Sequence, residues 1–373
     1  MPTTKSTLLQ HHHDNVLLNV PLPAPMMRTP HDLSADEGLF PLDEHVIEGA
    51  VTALESGQTH YVDVPGIAPL REQIAADLNA TQHSSYQKTN IVVTAGVQES
   101  RFLTIQMIGE RFERIAIPAV IHPGALKALG VRPMPLDRIP VEAANGYLPT
   151  VEAIRATLES GTRFLYLESP SRLTGRAYSA DEVRAIAALI VAHDAAVVWD
   201  QGLSVWTMGD AYTALSAQPD MAARTAAIGE VVPGMGLASW FISYIAAPED
   251  WITPMQSQKQ IMAICTSTAS QYAALEAGKL FAQTHPFNAA RLKASRMTLI
   301  GLAARTNLDV IDGQAVNVLA LRLSPDAKAR SLATLTDAGY TVADGADFGA
   351  SDTLRITVTA EATAGHALSR LLV

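Results

Sequence analysis

The chain has 373 residues, of which 48% are apolar and 17% charged, so it can bury a large core and does not have the composition of a disordered protein. A net charge of −10 argues against nucleic acid and against anionic membrane surfaces as partners. The single cysteine, Cys265, cannot form an internal disulfide, and the start "MPTTKSTLLQHHHDN" has no apolar signal core, so the cytoplasm is the expected compartment.

Residues 1–30 read as irregular. "PLPAPMMRTP" is punctuated by proline and is expected to form an extended arm. The histidines at 11–13 could bind a metal, but adjacent histidines in a tail more often bind nothing specific, and no metal site is expected. From Leu42 the pattern is helical up to "ESG", with Gly57 as its C-cap. "YVDVPG" reads as a turn and "APLREQIAADL" as a helix. Strands and helices then alternate. "NIVVTAG", "RIAIP", "VRPMPLD", "RFLYLE" and "AAVVWD" read as strands. "VQESRFLTIQMI", "HPGALKALG" and "SADEVRAIAALIVAHD" read as helices, the last with a capping box of Ser179 and Glu182.

Nearly continuous apolar strands between amphipathic helices predict an α/β fold, a mostly parallel sheet sandwiched by helices. The stretch Gly229–Glu249, "GEVVPGMGLASWFISYIAAPE", carries no charge between its two glutamates. It is as long as a membrane span, but its glycines, Pro233 and serines split it into two short apolar runs. Two buried strands around a glycine loop is the better reading. After about residue 285 the texture changes. A helical segment at roughly 288–305, the strand "AVNVLALRLS", a helix from Ser324, the strand "TLRITVT" and a final helix make a small α+β domain.

Ligands of open parallel sheets bind beyond the carboxyl ends of the strands. Those ends are Gly96, Pro118 with His122 just beyond, Glu168 running into "SPSRLTG", and Asp200. Gly96 opens a helix whose first amides, from Val97 and Gln98, could cradle an anion, although the same turn is also an ordinary strand-to-helix corner. Asp200 could hold a cationic ring nitrogen or merely cap the next segment. His122 could stack on a planar ligand or lie idle on the surface. Arg355 alternates with Leu354 and Ile356. It could grip a carboxylate bidentately or be a surface charge of an edge strand.

In order and spacing these pieces resemble the class I/II aminotransferases, the fold-type-I pyridoxal-phosphate (PLP) enzymes of amino acid metabolism. The resemblance runs over roughly residues 40–373. "YVDVPGIAPLREQIAADL" looks like the family's Tyr-x4-Gly-x3-Leu-Arg element, and "IVVTAGVQES" like its phosphate-cradling turn. "ESPSRLTGRAYSADEV" resembles the Asn-Pro-x-Asn-Pro-Thr-Gly loop, and "VVWDQG" the strand whose aspartate pairs with the pyridine nitrogen. "LRITVT" resembles the strand of the carboxylate-binding arginine. The resemblance implies a large domain at 41–287, a small C-terminal domain at 288–373 and an arm at 1–40 that packs with the small domain. It also implies a homodimer, with Tyr61 reaching toward the neighbour's site.

Laid on the family pattern Gly-Ser-Phe-Ser-Lys-x-x-Gly, the charge-free stretch puts Pro233 where the Schiff-base lysine belongs. Glu230 and Phe241 fall on the phosphate-binding serine and arginine. No lysine lies between Lys127 and Lys259. Arg172 replaces the loop's second asparagine, Leu203 a tyrosine, and His122 the stacking aromatic. Tyr61, Gly96, Asp200 and Arg355 keep the pattern. These departures imply no catalytic lysine and no covalently bound cofactor, with PLP or pyridoxamine phosphate (PMP) held weakly at most. Three functions follow: a non-catalytic partner protein, a repurposed pocket taking a carboxylate-bearing small molecule on Arg355 and Arg172, or family chemistry on noncovalent cofactor with His122 as base.

Overall fold

The computed structural model describes residues 32–35, 40–131, 134–209, 211–305 and 308–359. The triple histidine, most of the N-terminal arm and the expected last helix lie outside them.

Seven strands form the larger sheet: β2 (Ile91–Ala95), β3 (Ile115–Pro118), β4 (Leu136–Ile139), β5 (Phe164–Glu168), β6 (Ala196–Asp200), β7 (Thr225–Glu230) and β8 (Ile242–Ala246). Their order is β2-β8-β7-β6-β5-β3-β4, and only β8 runs against the others. β5 and β6 are buried at every position, as their unbroken apolar runs require when helices cover both faces. One face packs against the helices α3 (Val97–Gly109) and α4 (Pro123–Gly130), through Leu103, Ile105 and Ala125 among others. The other face packs against α5 (Val151–Glu159) and α6 (Ala180–Ala192), through Ile154, Val183 and Ile186. Ser179 and Glu182 form the expected capping box at the start of α6.

The charge-free stretch is indeed two buried strands, β7 and β8, paired antiparallel across a glycine loop. Two boundaries differ from expectation. β4 begins at Leu136 rather than within "VRPMP", where two prolines limit strand hydrogen bonding. The helix expected from about 288 starts at Thr268 and runs 38 residues to Arg305, here α8. The position 287/288 therefore falls inside one continuous helix. Upstream, α1 (Glu44–Glu55) and α2 (Ala68–Gln82) pack against the first half of α8.

The smaller sheet holds five strands in the order β1-β11-β12-β10-β9: β1 (Asp32–Leu33), β9 (Asp309–Ile311), β10 (Val318–Arg322), β11 (Thr341–Asp344) and β12 (Thr353–Thr357). The short β9 and β11 were not legible as strands. β1 brings the end of the N-terminal segment into this sheet by pairing parallel with β11. β12 is the central strand of the five and not an edge. α7 (Glu249–Ala263) follows β8 and packs with α3 and α4 on the larger sheet through Trp251, Ile252 and Met255, and α9 (Pro325–Asp337) covers the smaller sheet through Leu335.

Candidate functional site

Three neighbouring parallel strands, β5, β6 and β7, end in carboxylates: Glu168, Asp200 and Glu230. Glu168 and Asp200 are paired in register, so their charges sit side by side at the sheet's carboxyl edge. Such a row can stay charged inside a protein only if cations neutralise it. Two guanidiniums do so. Arg172, from the loop after β5, donates to Asp200 Oδ1 from Nη2 (2.8 Å) and Nε (3.1 Å), and to Glu230 Oε1 from Nη1 (3.2 Å). Arg101, from α3, donates to Asp200 Oδ2 from Nη2 (2.9 Å) and Nε (3.2 Å). Tyr166 adds its hydroxyl at 2.8 Å to the same oxygen. Asp200, Arg172 and Tyr166 are fully buried and Arg101 almost so.

Backbone choices make room for this cluster. A Cβ on Gly202 would lie 1.8 Å from Arg172 Nη2, and one on Gly124 would lie 2.8 Å from Arg101 Nη1. Glycine at both positions lets the guanidiniums close on the carboxylate.

The cluster sets the acidities. Burial alone would raise the Asp200 carboxyl, but the charges of Arg172 and Arg101 outweigh it and hold the group well below the usual carboxylate range. Glu168 goes the other way. Burial and the neighbouring Asp200 charge push it up to about 7, although the His122 amide (3.0 Å) and the Arg172 amide (3.2 Å) both donate to it. Burial, and then the Asp200 charge, push the Tyr166 phenol well above its ordinary value.

Beside the cluster lies a cavity of about 180 Å³, lined among others by Gly96, Val97, Glu230, Val232, Pro233 and Phe241. Gly96 (φ 81°) opens α3 as expected, but the Phe241 ring covers it, and a Cβ there would meet Phe241 Cδ1 at 3.2 Å. Val232, a β-branched residue before Pro233, is held at φ 47°, a strained conformation of the loop between β7 and β8. The first turn of α3 already has its own anion. Glu99 accepts from the Ala95 amide and binds Lys259 Nζ through both oxygens, at 3.0 and 2.8 Å. Lys259, on α7, is fully buried and also donates to Thr266 Oγ1 at 3.0 Å, so this ammonium is committed to the core.

The remaining expected residues scatter in role. His122 is the N-cap of α4. Its Nδ1 accepts from the Gly124 amide at 3.0 Å, and its ring and that of Phe348 meet at right angles. Gln98 reaches the Gly124 carbonyl at 2.9 Å. Tyr61 is 80% exposed and stands at the surface, apart from the buried cluster.

Arg355 corrects an expectation. It is neither an edge-strand surface charge nor an open carboxylate grip: it is fully buried. Nε donates to the Arg172 carbonyl (2.9 Å), and Nη1 to the carbonyls of Ser34 (3.1 Å) and Ala35 (3.2 Å). The side chain does face the Arg172 loop, as strand alternation required, but it ties three chain segments together there. Arg101 and Tyr166 were missed in the sequence. The signal for Arg101 was its place immediately before the apolar run "FLTIQMI" on a helix buried nearly all round, where a cation needs a partner.

Among the described residues, no helix is long and apolar enough to cross a membrane, and no group of His, Cys, Asp or Glu is arranged to hold a metal ion. The family model for aminotransferase class I and II matches residues 30–371. The aspartate/prephenate aminotransferase of Thermus thermophilus is 27% identical over 349 residues, 91% of this chain and 89% of the relative. The aspartate aminotransferase of Geobacillus stearothermophilus is 26% identical over 250 residues, and the chain spans only 63% of that relative's length. The fold is shared with a mutant Thermus thermophilus aspartate aminotransferase at TM-score 0.85 and 23% identity, over 93% of this chain and 97% of that one. It is shared as well with the aromatic aminotransferase of Pyrococcus horikoshii at TM-score 0.84 and 22% identity, over 92% and 95% of the two chains. On the match across nearly its whole length, the chain belongs to the class I and II aminotransferase family.

Proposed function

We propose that this member of the family keeps the aminotransferase fold but has refilled its cofactor pocket with its own side chains and is not a conventional PLP transaminase. The observation that carries this reading is the fork of Arg172 on Asp200 Oδ1, with Gly202 opening the space for it. By resemblance, that carboxylate is the partner of the cofactor's ring nitrogen. Here both its oxygens are taken by buried guanidiniums.

The residues present do not fit PLP. Its phosphate carries nearly two negative charges near neutral pH. At the phosphate-binding positions it would meet the Glu230 carboxylate and the Phe241 ring. The amide cradle behind Gly96 lies under that ring, and the Glu99 carboxylate at its first turn accepts from the Ala95 amide just before it. Pro233 offers no amine, and Lys259 is locked onto Glu99. The chain's own residues therefore supply no chemical step through PLP. His122 as a replacement base is disfavoured because its Nδ1 lone pair caps α4. A carboxylate ligand on Arg355 would have to displace the backbone carbonyls that hold it. These two observations favour a non-catalytic role over the repurposed or noncovalent-cofactor alternatives.

The proposal includes a homodimer and the division into an arm (1–40), a large domain (41–287) and a small domain (288–373). The support for the dimer is the resemblance of the Tyr61 element to one that reaches a neighbour's site, and Tyr61 is 80% exposed. Sedimentation at micromolar concentration tests the dimer. The main reading is tested by incubating the full chain with PLP, reducing with borohydride, digesting and mapping pyridoxyl-lysine. No specific adduct is expected. A stoichiometric adduct on one lysine would overturn the reading.

A further inference from the structure

The sequence contains three bonds in which Asp or Asn precedes Gly: Asn145–Gly146, Asp312–Gly313 and Asp344–Gly345. Glycine has no side chain to shield its amide nitrogen, so that nitrogen can attack the carboxyl or carboxamide carbon of the residue before it. The structure sets one of the three bonds apart from the others.

At Asn145 and Asp344 the side chain is held elsewhere. Asn145 Nδ2 donates to the Leu148 carbonyl at 2.8 Å, and the Gly146 amide donates to the Ala143 carbonyl at 2.9 Å. Asp344 Oδ1 accepts from the Ala346 amide at 2.8 Å and from Lys328 Nζ at 2.6 Å, capping the turn that follows. Asp312 is arranged differently. Its side chain folds back on its own following amide, and Gly313 N donates to Asp312 Oδ1 at 2.9 Å. The nitrogen therefore sits beside the carboxyl carbon that bears this oxygen, as a near-attack arrangement requires. Asp312 is exposed, so water can leave and enter there. Its charge is felt by the buried Arg296, whose own Nε donates to the Val318 carbonyl at 3.0 Å.

We infer that Asp312 is a self-modification site, at which the aspartyl residue isomerises to isoaspartate in the folded chain. The first step is a condensation. Gly313 N bonds to Asp312 Cγ, the amide proton and the carboxyl hydroxyl leave as water, and a succinimide ring results. Water then opens the ring at either carbonyl. One opening returns aspartate. The other routes the main chain through the side-chain carbonyl and adds one carbon to the backbone. Nothing is oxidised or reduced, and the residue keeps one carboxylate.

The surroundings have no room for a longer backbone. A Cβ on Gly313 would already lie 2.1 Å from the Thr174 carbonyl oxygen and 2.9 Å from Gly175 C. The amides of Gln314 and Ala315 both donate to the Gly175 carbonyl at 2.9 Å, and Gln314 Oε1 accepts from the Ala177 amide at 2.8 Å. These bonds fasten the loop between β9 and β10 to the segment that leads from Arg172 to α6. Isomerisation gives up part of that fastening, so the bond acts as a clock on the contact between the two sheets. This holds whatever the Asp200 cluster does.

The test ages the full chain for weeks at mildly acidic pH and body temperature, then digests it and locates isoaspartate by electron-transfer fragmentation. Isoaspartate is expected to accumulate several-fold faster at 312 than at 145 or 344. Asp312→Glu, whose longer side chain must close a larger ring, should show none at that position. The substitution is at an exposed site, where folding is little affected. Amide hydrogen exchange at Gln314 and Ala315 should quicken in the converted chain and stay unchanged in equally aged Asp312→Glu. The inference fails if position 312 stays unconverted, if the three bonds convert at equal rates, or if both amides exchange alike before and after conversion.

Discussion

Arg172 closes on Asp200 with two nitrogens sharing one carboxylate oxygen, and neither side chain has any exposure to solvent. Arg101 grips the other oxygen in the same way. Breaking a buried pair by removing one partner typically costs about 3–5 kcal/mol, because the remaining charge stays buried. Arg172→Met should therefore lower stability by about that amount in equilibrium urea unfolding. A loss below about 1 kcal/mol would mean that Arg101 alone neutralises the carboxylates.

Glu168 makes stability depend on pH in an unusual direction. Its folded-state acidity, at about 7, lies above the ordinary glutamate value of 4.5. Between those values the folded protein binds the extra proton, so this group's contribution falls as pH rises through the window and is flat above it. Asp200 acts oppositely: its contribution is present above its ordinary value and is lost only in acid. Unfolding free energies measured from pH 4.5 to 8 should decline more steeply for wild type than for Glu168→Gln. Parallel curves would count against a proton on Glu168.

Arg355→Lys should destabilise the fold by about 2–4 kcal/mol, since hydrogen bonds to a charged group are worth about 1.5–3 kcal/mol each and several would be lost. A single ammonium cannot span the Arg172 carbonyl on one side and the Ser34 and Ala35 carbonyls on the other. Denaturation midpoints check this; an unchanged midpoint would refute the tie.

Lys259 and Glu99 form a further buried pair, away from the Asp200 cluster. Lys259→Met and Glu99→Gln should each cost about 3–5 kcal/mol, and the double variant less than the sum. A double-mutant cycle that closes additively would show that the two are not coupled.

Restoring PLP binding should need more than a lysine. Pro233→Lys alone leaves Glu230, Phe241 and the Arg172 fork in place. Adding Glu230→Ser, Phe241→Arg and Arg172→Asn should raise PLP affinity markedly over the single variant in a visible-absorbance titration. Equal affinities would mean that the occupied pocket is not the obstacle.

The strand tips were legible in the sequence because their runs are short, apolar and regularly spaced. "FLYLE" and "AVVWD" each end on a carboxylate that the structure places in the cluster, whereas Glu230 was read as a phosphate-site position and not as the tip of a strand. Which cations answer those carboxylates was not legible. Arg101 lies 99 residues from Asp200 in the chain, and a helix pattern records which face is apolar but not what a lone charge meets. The Arg355 contacts were hidden for the same reason: Ser34 lies 321 residues away, and strand alternation gives a direction without a depth. Where alternation was read with sheet order left unknown, a central strand passed for an edge.

Helix α8 has a consequence for how the molecule comes apart. At 1.5 Å per residue its 38 residues extend about 57 Å. Ala273, Ala274 and Ala277 near its start pack into one core with α1 and α2. Ala289, Leu292, Leu299 and Ala303 near its end pack into the core of the smaller sheet. Neither core is complete without its share of this one rod. Expressed as two fragments cut at residue 288, the halves would each present a bare hydrophobic face, and neither would be a self-sufficient folding unit. The intact chain should accordingly melt in one cooperative step, with both sheets surrendering together.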